Sequence, residues 1–441
     1  MISPKVCIIG AGASGIAAAK VLHERGIAFD CYEKGSGIGG NWRYKNDNGM
    51  SAAYRSLHIN TSKTRMAYSD FPMPDHYPDY LHHSQVLEYF ENYVDHFGFR
   101  GKLTFNTSIE NVEPGNPGGY NVTIRDANGT RTIFYDAVIV ANGHHWSPRM
   151  PEPPFPGQDT FTGRQMHAHE YRVAEDFVGQ NVLVVGIGNS GIDISCDISH
   201  VANKVYLSTR RGAHIIPKYI MGIPTDLLTD TPVVWAPLWV QQFIMRLTLL
   251  IGRGSQKRYG VPVPKNHILT EHPAISSDLL HYVGHGRVKI KPNIDHIKAN
   301  QVSFDDGSSE PIDSIIYATG YNLCFPFFRP EFITVKDNQF PLYQYAISVD
   351  HPGLYFIGLL QPLGAIMPLS EVQSKWIAEL VTGACHLPTR TEMQAWITQR
   401  YQQMAQRYYR SPRHTLQVDY KPYFYSILKE IEQGKTRQVV S

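Results

Sequence analysis

Lys5-Val6-Cys7-Ile8-Ile9-Gly10-Ala11-Gly12-Ala13-Ser14-Gly15 decides the fold of this chain. The apolar run Lys5–Ile9 ends on Gly10 and reads as a buried parallel strand. Ser14–Arg25 carries Ala, Ile and Leu at helical spacing, and Phe29–Glu33 is the next strand. This order of strand, glycine turn, helix and strand is a dinucleotide-binding unit. Gly10 permits the tight turn, Gly12 lets the backbone approach a pyrophosphate, and Gly15 allows close helix–strand packing. The helix N-terminus, with Ser14 in its first turn, turns N–H donors and a positive dipole end toward phosphate. Glu33, at the end of the second strand, is placed to accept hydrogen bonds from ribose hydroxyls.

The pattern restarts downstream. Asn181–Val185 is a strand, Gly186-Ile187-Gly188-Asn189-Ser190-Gly191 a second glycine loop, and a helix runs to about Ile198 before the strand Lys204–Leu207. Where a site for NAD would place an acid, this strand ends in Ser208-Thr209-Arg210-Arg211. Two arginines can clamp a 2′-phosphate in bidentate fashion, so the second nucleotide reads as NADPH. Two such loops in one chain imply two dinucleotides, usually a flavin and a nicotinamide.

The expected fold is therefore α/β, with two nested Rossmann-like domains, the second carrying a helical insertion. Tyr120–Arg125 and Thr130–Tyr135 flank Asn128-Gly129 as a hairpin. Ala137–Ala141 and Ser314–Ala318 are further apolar strands, each followed by a small turn. A Pro-rich stretch, Pro148 to Pro156, marks a boundary. The boundaries expected are 1–150 for the first part of the FAD domain, 151–325 for the NADPH domain, and 326–441 for the return and the C-terminal segment. The chain re-enters the first domain near Leu354–Gly358.

Residues 213–275 fit neither half and read as an insertion. Within it, Val233–Ile251 is apolar in most positions but contains Pro237, Gln241, Gln242 and Arg246. A spanning helix needs about 20 mostly apolar residues with few charges. Core of an inserted subdomain is the preferred reading, and peripheral membrane contact stays open. The rest of the chain shows no membrane anchor and no leader-like start.

At 441 residues the chain has room for two or three domains. Its formal net charge of +2 and lack of basic blocks give no footprint for nucleic acid. Cys7, Cys31, Cys196, Cys324 and Cys385 are scattered without any Cys-x-x-Cys, which indicates neither a disulfide framework nor a metal site. A reducing, cytoplasmic setting fits. A homodimer stays open.

Between the two loops lies Phe161-Thr162-Gly163-Arg164-Gln165-Met166-His167-Ala168-His169-Glu170-Tyr171. With it, the chain resembles the flavin-containing monooxygenases, whose signature is F-x-G-x-x-x-H-x-x-x-(Y or another residue). Gly39-Gly40-Asn41-Trp42 is similar to that family's segment beside the flavin, and Asn60-Thr61-Ser62-Lys63 with Asp70-Phe71-Pro72 to its active-site loop. The segment Gly358–Trp376, containing Gln361, is similar to animal members. The likeness covers nearly the whole chain. Asn142-Gly143 departs from the usual Thr-Gly, and the animal enzymes' C-terminal anchor has no counterpart.

The resemblance implies FAD and NADPH as cofactors. It implies oxygenation of amine nitrogen or sulfide sulfur in small molecules by O2 through a C4a-hydroperoxyflavin. Asn60 is the catalytic candidate, able to donate and accept without titrating. The cofactor-binding candidates are Gly10, Gly12, Ser14, Gly15, Glu33, Gly40, Asn41, Trp42, Asn60, Thr61, Gln361, Gly186, Gly188, Asn189, Ser190, Gly191, Arg210 and Arg211. Gln373 is a further residue expected near the flavin, and His167 and His169 are expected to link rather than catalyse. Tyr171 stands where Baeyer–Villiger relatives usually carry Trp, which favours the heteroatom-oxidising branch over ketone oxidation. A disulfide reductase would need a redox cysteine pair. An NADPH oxidase and a non-catalytic flavoprotein complete the alternatives.

Overall fold

The computed structural model describes residues 4–228, 232–408 and 415–437. Residues 1–3, part of the start read above as not leader-like, lie outside the described residues. Contacts divide the chain into two compact units. One holds residues 1–51, 63–147 and 323–441, and the other holds 52–62 and 148–322.

The first unit is built on a seven-stranded sheet with Lys5–Ile9 near its middle. That strand pairs in parallel with Ala28–Tyr32 on one side and Ala137–Val140 on the other, and the latter pairs with Leu354–Phe356. Val6, Cys7 and Ile8 are fully buried, as expected of a strand covered on both faces. The first-loop helix, Ala13–Glu24, leaves the carboxyl end of this strand. The chain order reverses on either side of the strand, which makes its end a topological switch point where open α/β sheets bind ligands. The return helix, Met367–Val381, packs on the first-loop helix. The hairpin Tyr120–Asp126/Gly129–Tyr135 forms with Asp126 opposite Gly129, so the turn falls on Ala127-Asn128. Gly129, at φ +107°, begins the second strand.

The second unit repeats the plan. Its main sheet has five strands, all parallel, with Asn181–Val185 central between Lys204–Ser208 and Ser314–Tyr317. Alternate residues feed two cores. Val182, Val184 and Leu207 pack on one face, and Leu183, Val185 and Tyr206 on the other. The second-loop helix, Asn189–Ile198, follows the central strand.

The insertion contains one long helix, Leu238–Arg253, and two short strand pairs, Ile215–Ile216 with Ala274–Ile275 and Tyr219–Ile220 with Ile223–Pro224. The preferred reading of 233–251 as buried core is overturned. Only Leu249 of the helix is buried, whereas Trp239 is 71% exposed and Trp235, Phe243, Leu250 and Ile251 are all exposed. Apolar content within a helical insertion indicated the segment, but content does not say whether protein or something else covers the apolar face. No described helix is long and apolar enough to cross a membrane.

Candidate functional site

Each glycine loop has a local reason for its sequence. In the first, Gly10 sits at φ +99°, and a Cβ there would lie 2.8 Å from the Ala141 carbonyl oxygen. A Cβ on Gly15 would lie 1.8 Å from the Gly10 carbonyl oxygen, so only glycine lets the helix approach the strand. A Cβ on Gly12 would meet only Gly40, at 3.6 Å, so these two glycines face each other. The helix starts at Gly12 with no side-chain cap, leaving first-turn N–H groups for another acceptor.

The Gly39–Trp42 turn is fastened to this loop. Gly39 N–H donates to the Ala11 carbonyl at 3.0 Å, and Asn46 donates to the Gly40 carbonyl at 3.1 Å. Asn41 is exposed and Trp42 half-buried. The Glu33 carboxylate is 5% exposed and accepts from Ala11 N–H at 2.9 Å, Gly35 N–H at 2.8 Å and Asn48 Nδ2 at 2.9 Å. Ser14 Oγ lies 2.9 Å from Ser370 Oγ, which joins the first-loop helix to the return helix.

Gln361 donates its N–H to the Leu416 carbonyl at 2.7 Å and stays half-buried. Gln373 has a different task from the one expected. Its amide oxygen accepts from Gly358 N–H at 2.9 Å, and its amide nitrogen donates to Tyr423 at 2.7 Å, with no exposed surface. It braces the core.

The second loop mirrors the first. Gly186 is at φ +113°, a Cβ on Gly191 would lie 1.9 Å from the Gly186 carbonyl oxygen, and the helix again starts uncapped at Gly188. Ser190 is exposed. The Asn189 side chain accepts from Ile275 N–H at 2.8 Å, tying the end of the insertion to the loop. Arg210 and Arg211 are exposed at the end of Lys204–Ser208. Two uncapped helix N-termini, each over a turn that a Cβ would block, fit the pyrophosphates of two dinucleotides.

Arg149 was not found from sequence. It donates to the Thr319 carbonyl at 3.1 Å, beside the strand end next to Gly186, and its pKa is lowered by burial and then by the neighbouring Arg210. The Pro-rich surroundings gave no local signal for it. It adds a third cation near the Arg210 end of the second sheet.

Asn60 and Thr61 are half-buried in the second unit. Asn60 Oδ1 is buried and finds no hydrogen-bond partner among the described residues, nor does the Ser62 hydroxyl oxygen beside it. Buried acceptors of this kind call for an explanation, and a donor on a bound ligand fits Asn60.

His167 Nδ1 accepts from His169 N–H at 3.0 Å, and both rings lie edge-on to Tyr321. Burial lowers the His167 pKa to about 4, so it is neutral at physiological pH. The Tyr171 hydroxyl donates to Asp197 at 2.6 Å inside the protein.

The family model described as flavin-binding monooxygenase-like matches residues 3–438. Flavin-containing monooxygenase 5 of Oryctolagus cuniculus is 39% identical over 440 residues, covering 95% of this chain and 81% of the relative. Dimethylaniline monooxygenase (N-oxide-forming) 2 of Mus musculus is 35% identical over 97% of this chain and 82% of its own. The solved structure of S-allyl-L-cysteine S-oxygenase from Allium sativum superposes with a TM-score of 0.73 at 27% identity, covering 98% of this chain and 89% of that one. Cyclohexanone monooxygenase, at 17% identity and the same TM-score, shares the fold. With two dinucleotide cradles in place and the match running from residue 3 to residue 438, the chain belongs to the flavin-binding monooxygenase-like family.

Proposed function

We propose that this FAD- and NADPH-dependent monooxygenase oxygenates soft nitrogen or sulfur nucleophiles of small molecules, with Asn60 as its catalytic residue. The observation that carries the reading is the pair of uncapped glycine-loop helices together with the buried, unsatisfied Asn60 amide oxygen. For a sulfide substrate, one sulfide, one O2, one NADPH and one proton give one sulfoxide, one water and one NADP⁺. Bound FAD supplies two-electron uptake from NADPH and the activation of O2.

The protein's part is to bind, orient and exclude water. The Gly10–Gly15 loop with Gly40, Asn41 and Trp42 holds the flavin nucleotide, and Glu33 receives its ribose. The Gly186–Gly191 loop holds the nicotinamide nucleotide. Arg210 and Arg211 pair with its 2′-phosphate as fixed cations. The Asn60 amide steadies the reacting oxygen without changing charge.

The test is NADPH consumption with a tertiary amine or sulfide, with product and H2O2 both counted. Product equal to NADPH consumed supports the reading. Ester formed from a ketone, with neither N-oxide nor sulfoxide, would replace it by Baeyer–Villiger chemistry. Stoichiometric H2O2 whatever the substrate would make the protein an oxidase.

Arg210→Ala should raise KM for NADPH roughly 10- to 100-fold and leave KM for NADH unchanged. Charge-assisted bonds to a 2′-phosphate are worth on the order of 1.5–3 kcal/mol each. Steady-state kinetics with both nucleotides checks this, and equal effects on the two would remove Arg210 from the phosphate site.

The same proposal places the insertion helix on an anionic lipid surface in a reducing, cytoplasmic setting. Trp239, Phe243, Leu247 and Leu250 form an exposed stripe at helical spacing, with Trp235 and Ile251 beside it. From Thr231 to Thr270 the sequence has no Asp or Glu but carries Arg246, Arg253, Lys257, Arg258 and Lys265. An apolar face with Trp and a basic flank is the composition of an interfacial helix. The protein should float with vesicles containing anionic lipid, and Trp239→Glu/Phe243→Glu should abolish flotation while keeping NADPH oxidation. Self-association without lipid that the double substitution abolishes would assign the face to a homodimer instead.

A further inference from the structure

We propose that Tyr171 and Asp197 form a clasp that fixes the Asn60 segment to the second-loop helix, making both positioning residues for oxygenation. The inference rests on the reading of Asn60 as the catalytic residue. Residues 52–62 belong by contacts to the unit that carries Gly186–Gly191, and specific side chains produce that attachment. The Ser56 hydroxyl and the Tyr171 hydroxyl both donate to Asp197 Oδ2, each at 2.6 Å. One turn earlier on the same helix face, Asp193 Oδ2 accepts from the Tyr54 hydroxyl at 3.0 Å. The Tyr54 and Tyr171 rings pack at 5.5 Å between centroids, and neither ring is open to solvent.

The backbone joins in. Arg55 N–H donates to the Arg172 carbonyl at 2.9 Å, and the Arg55 side chain pairs with Glu175. At the far end of the segment, Ser62 N–H donates to Asp226 of the insertion at 2.7 Å. Asn60 thus lies between two anchors, with its own amide oxygen left unsatisfied. The clasp gives the last position of the Phe161–Tyr171 motif a physical task. A tyrosine there reaches the carboxylate that also holds Ser56, so motif, glycine-loop helix and Asn60 segment meet at one oxygen. Burial raises the Asp193 pKa to about 6, so holding that carboxylate on the helix costs desolvation. Retaining two half-buried acids on one helix face, each accepting from a hydroxyl of the 52–62 segment, suits a role in placing the segment better than a role in stability.

Tyr171→Phe removes one of the two donors and Asp197→Asn the charge of the shared acceptor, and both keep the shape. Both holoproteins should keep FAD content and the rate of flavin reduction by NADPH. With a sulfide present, the ratio of sulfoxide to H2O2 should fall ~10-fold or more, because small misplacements of a reacting group carry costs of that size. Asp197→Glu, which keeps the acceptor charge, should restore part of the ratio. In Asn60→Ala, adding Tyr171→Phe should cost nothing more, since residues acting through one another are non-additive. Unchanged coupling in Tyr171→Phe and Asp197→Asn, with Asn60→Ala uncoupled, would overturn the clasp alone. Normal coupling in Asn60→Ala would overturn the reading beneath it. A fall in melting temperature or flavin content with coupling intact would make the contacts structural, and the proposal would fail.

Discussion

Gly15→Ala is expected to leave the chain without FAD. The added Cβ would lie 1.8 Å from the Gly10 carbonyl oxygen, and backbone cannot yield as a flexible side chain does. The first-loop helix must slide away from the strand Lys5–Ile9, carrying its first-turn N–H groups off the phosphate position. Overpacking a core costs about 1–3 kcal/mol when side chains can rearrange, and a backbone clash of this depth should exceed that range. Flavin content measured by absorbance should fall at least ~10-fold, which corresponds to only about 1.4 kcal/mol. Gly12→Ala is the informative contrast. Its Cβ would meet Gly40 at 3.6 Å, an ordinary contact, so the apoprotein should melt as wild type does while FAD binding weakens. If Gly12→Ala destabilised the apoprotein as much as Gly15→Ala, both glycines would be packing residues and the phosphate cradle would lose its support.

That contrast also marks how far the sequence could be read. Strand, turn and helix are local, and local chemistry specified them. Lys5–Ile9 and Asn181–Val185 run between the residues expected, and the helices after them differ by a residue at most where the sequence set an end. Glu33 was legible because the spacing of a βαβ unit is fixed by its geometry. What escaped is non-local. Nothing in Ser51-Ala52-Ala53-Tyr54 says that the segment joins the unit of the second loop, because its partners Asp193 and Asp197 come more than a hundred residues later. Arg149 was hidden for the same reason, since its neighbours Thr319 and Arg210 are distant in sequence. The insertion helix failed differently. Its apolar run was read as a helical segment, but an apolar run looks the same in sequence whether it faces a core or a lipid surface.

Asn60→Ala should abolish oxygenation and spare everything upstream of it. The residue lies outside both glycine loops, so FAD content and reduction by NADPH should match wild type. Its amide oxygen is buried without a partner among the described residues, an arrangement that costs stability unless a ligand completes it. Truncation therefore removes an unsatisfied acceptor, and the free protein should melt no lower than wild type. Loss of one preorganised hydrogen-bonding group at a reacting oxygen typically costs ~10²–10³-fold in rate. Sulfoxide formation should fall by about that factor while NADPH consumption continues and H2O2 replaces product. Because an amide does not titrate, the wild-type profile of coupling against pH should show no step from this residue. Asn60→Asp tests that point separately. It keeps the shape but loses the donor and adds a charge, so it should fail like alanine at neutral pH. Sulfoxide at the wild-type rate in either variant would remove Asn60 from the chemistry. Loss of FAD in Asn60→Ala would make the side chain a structural support, and its unpaired oxygen would then need another explanation.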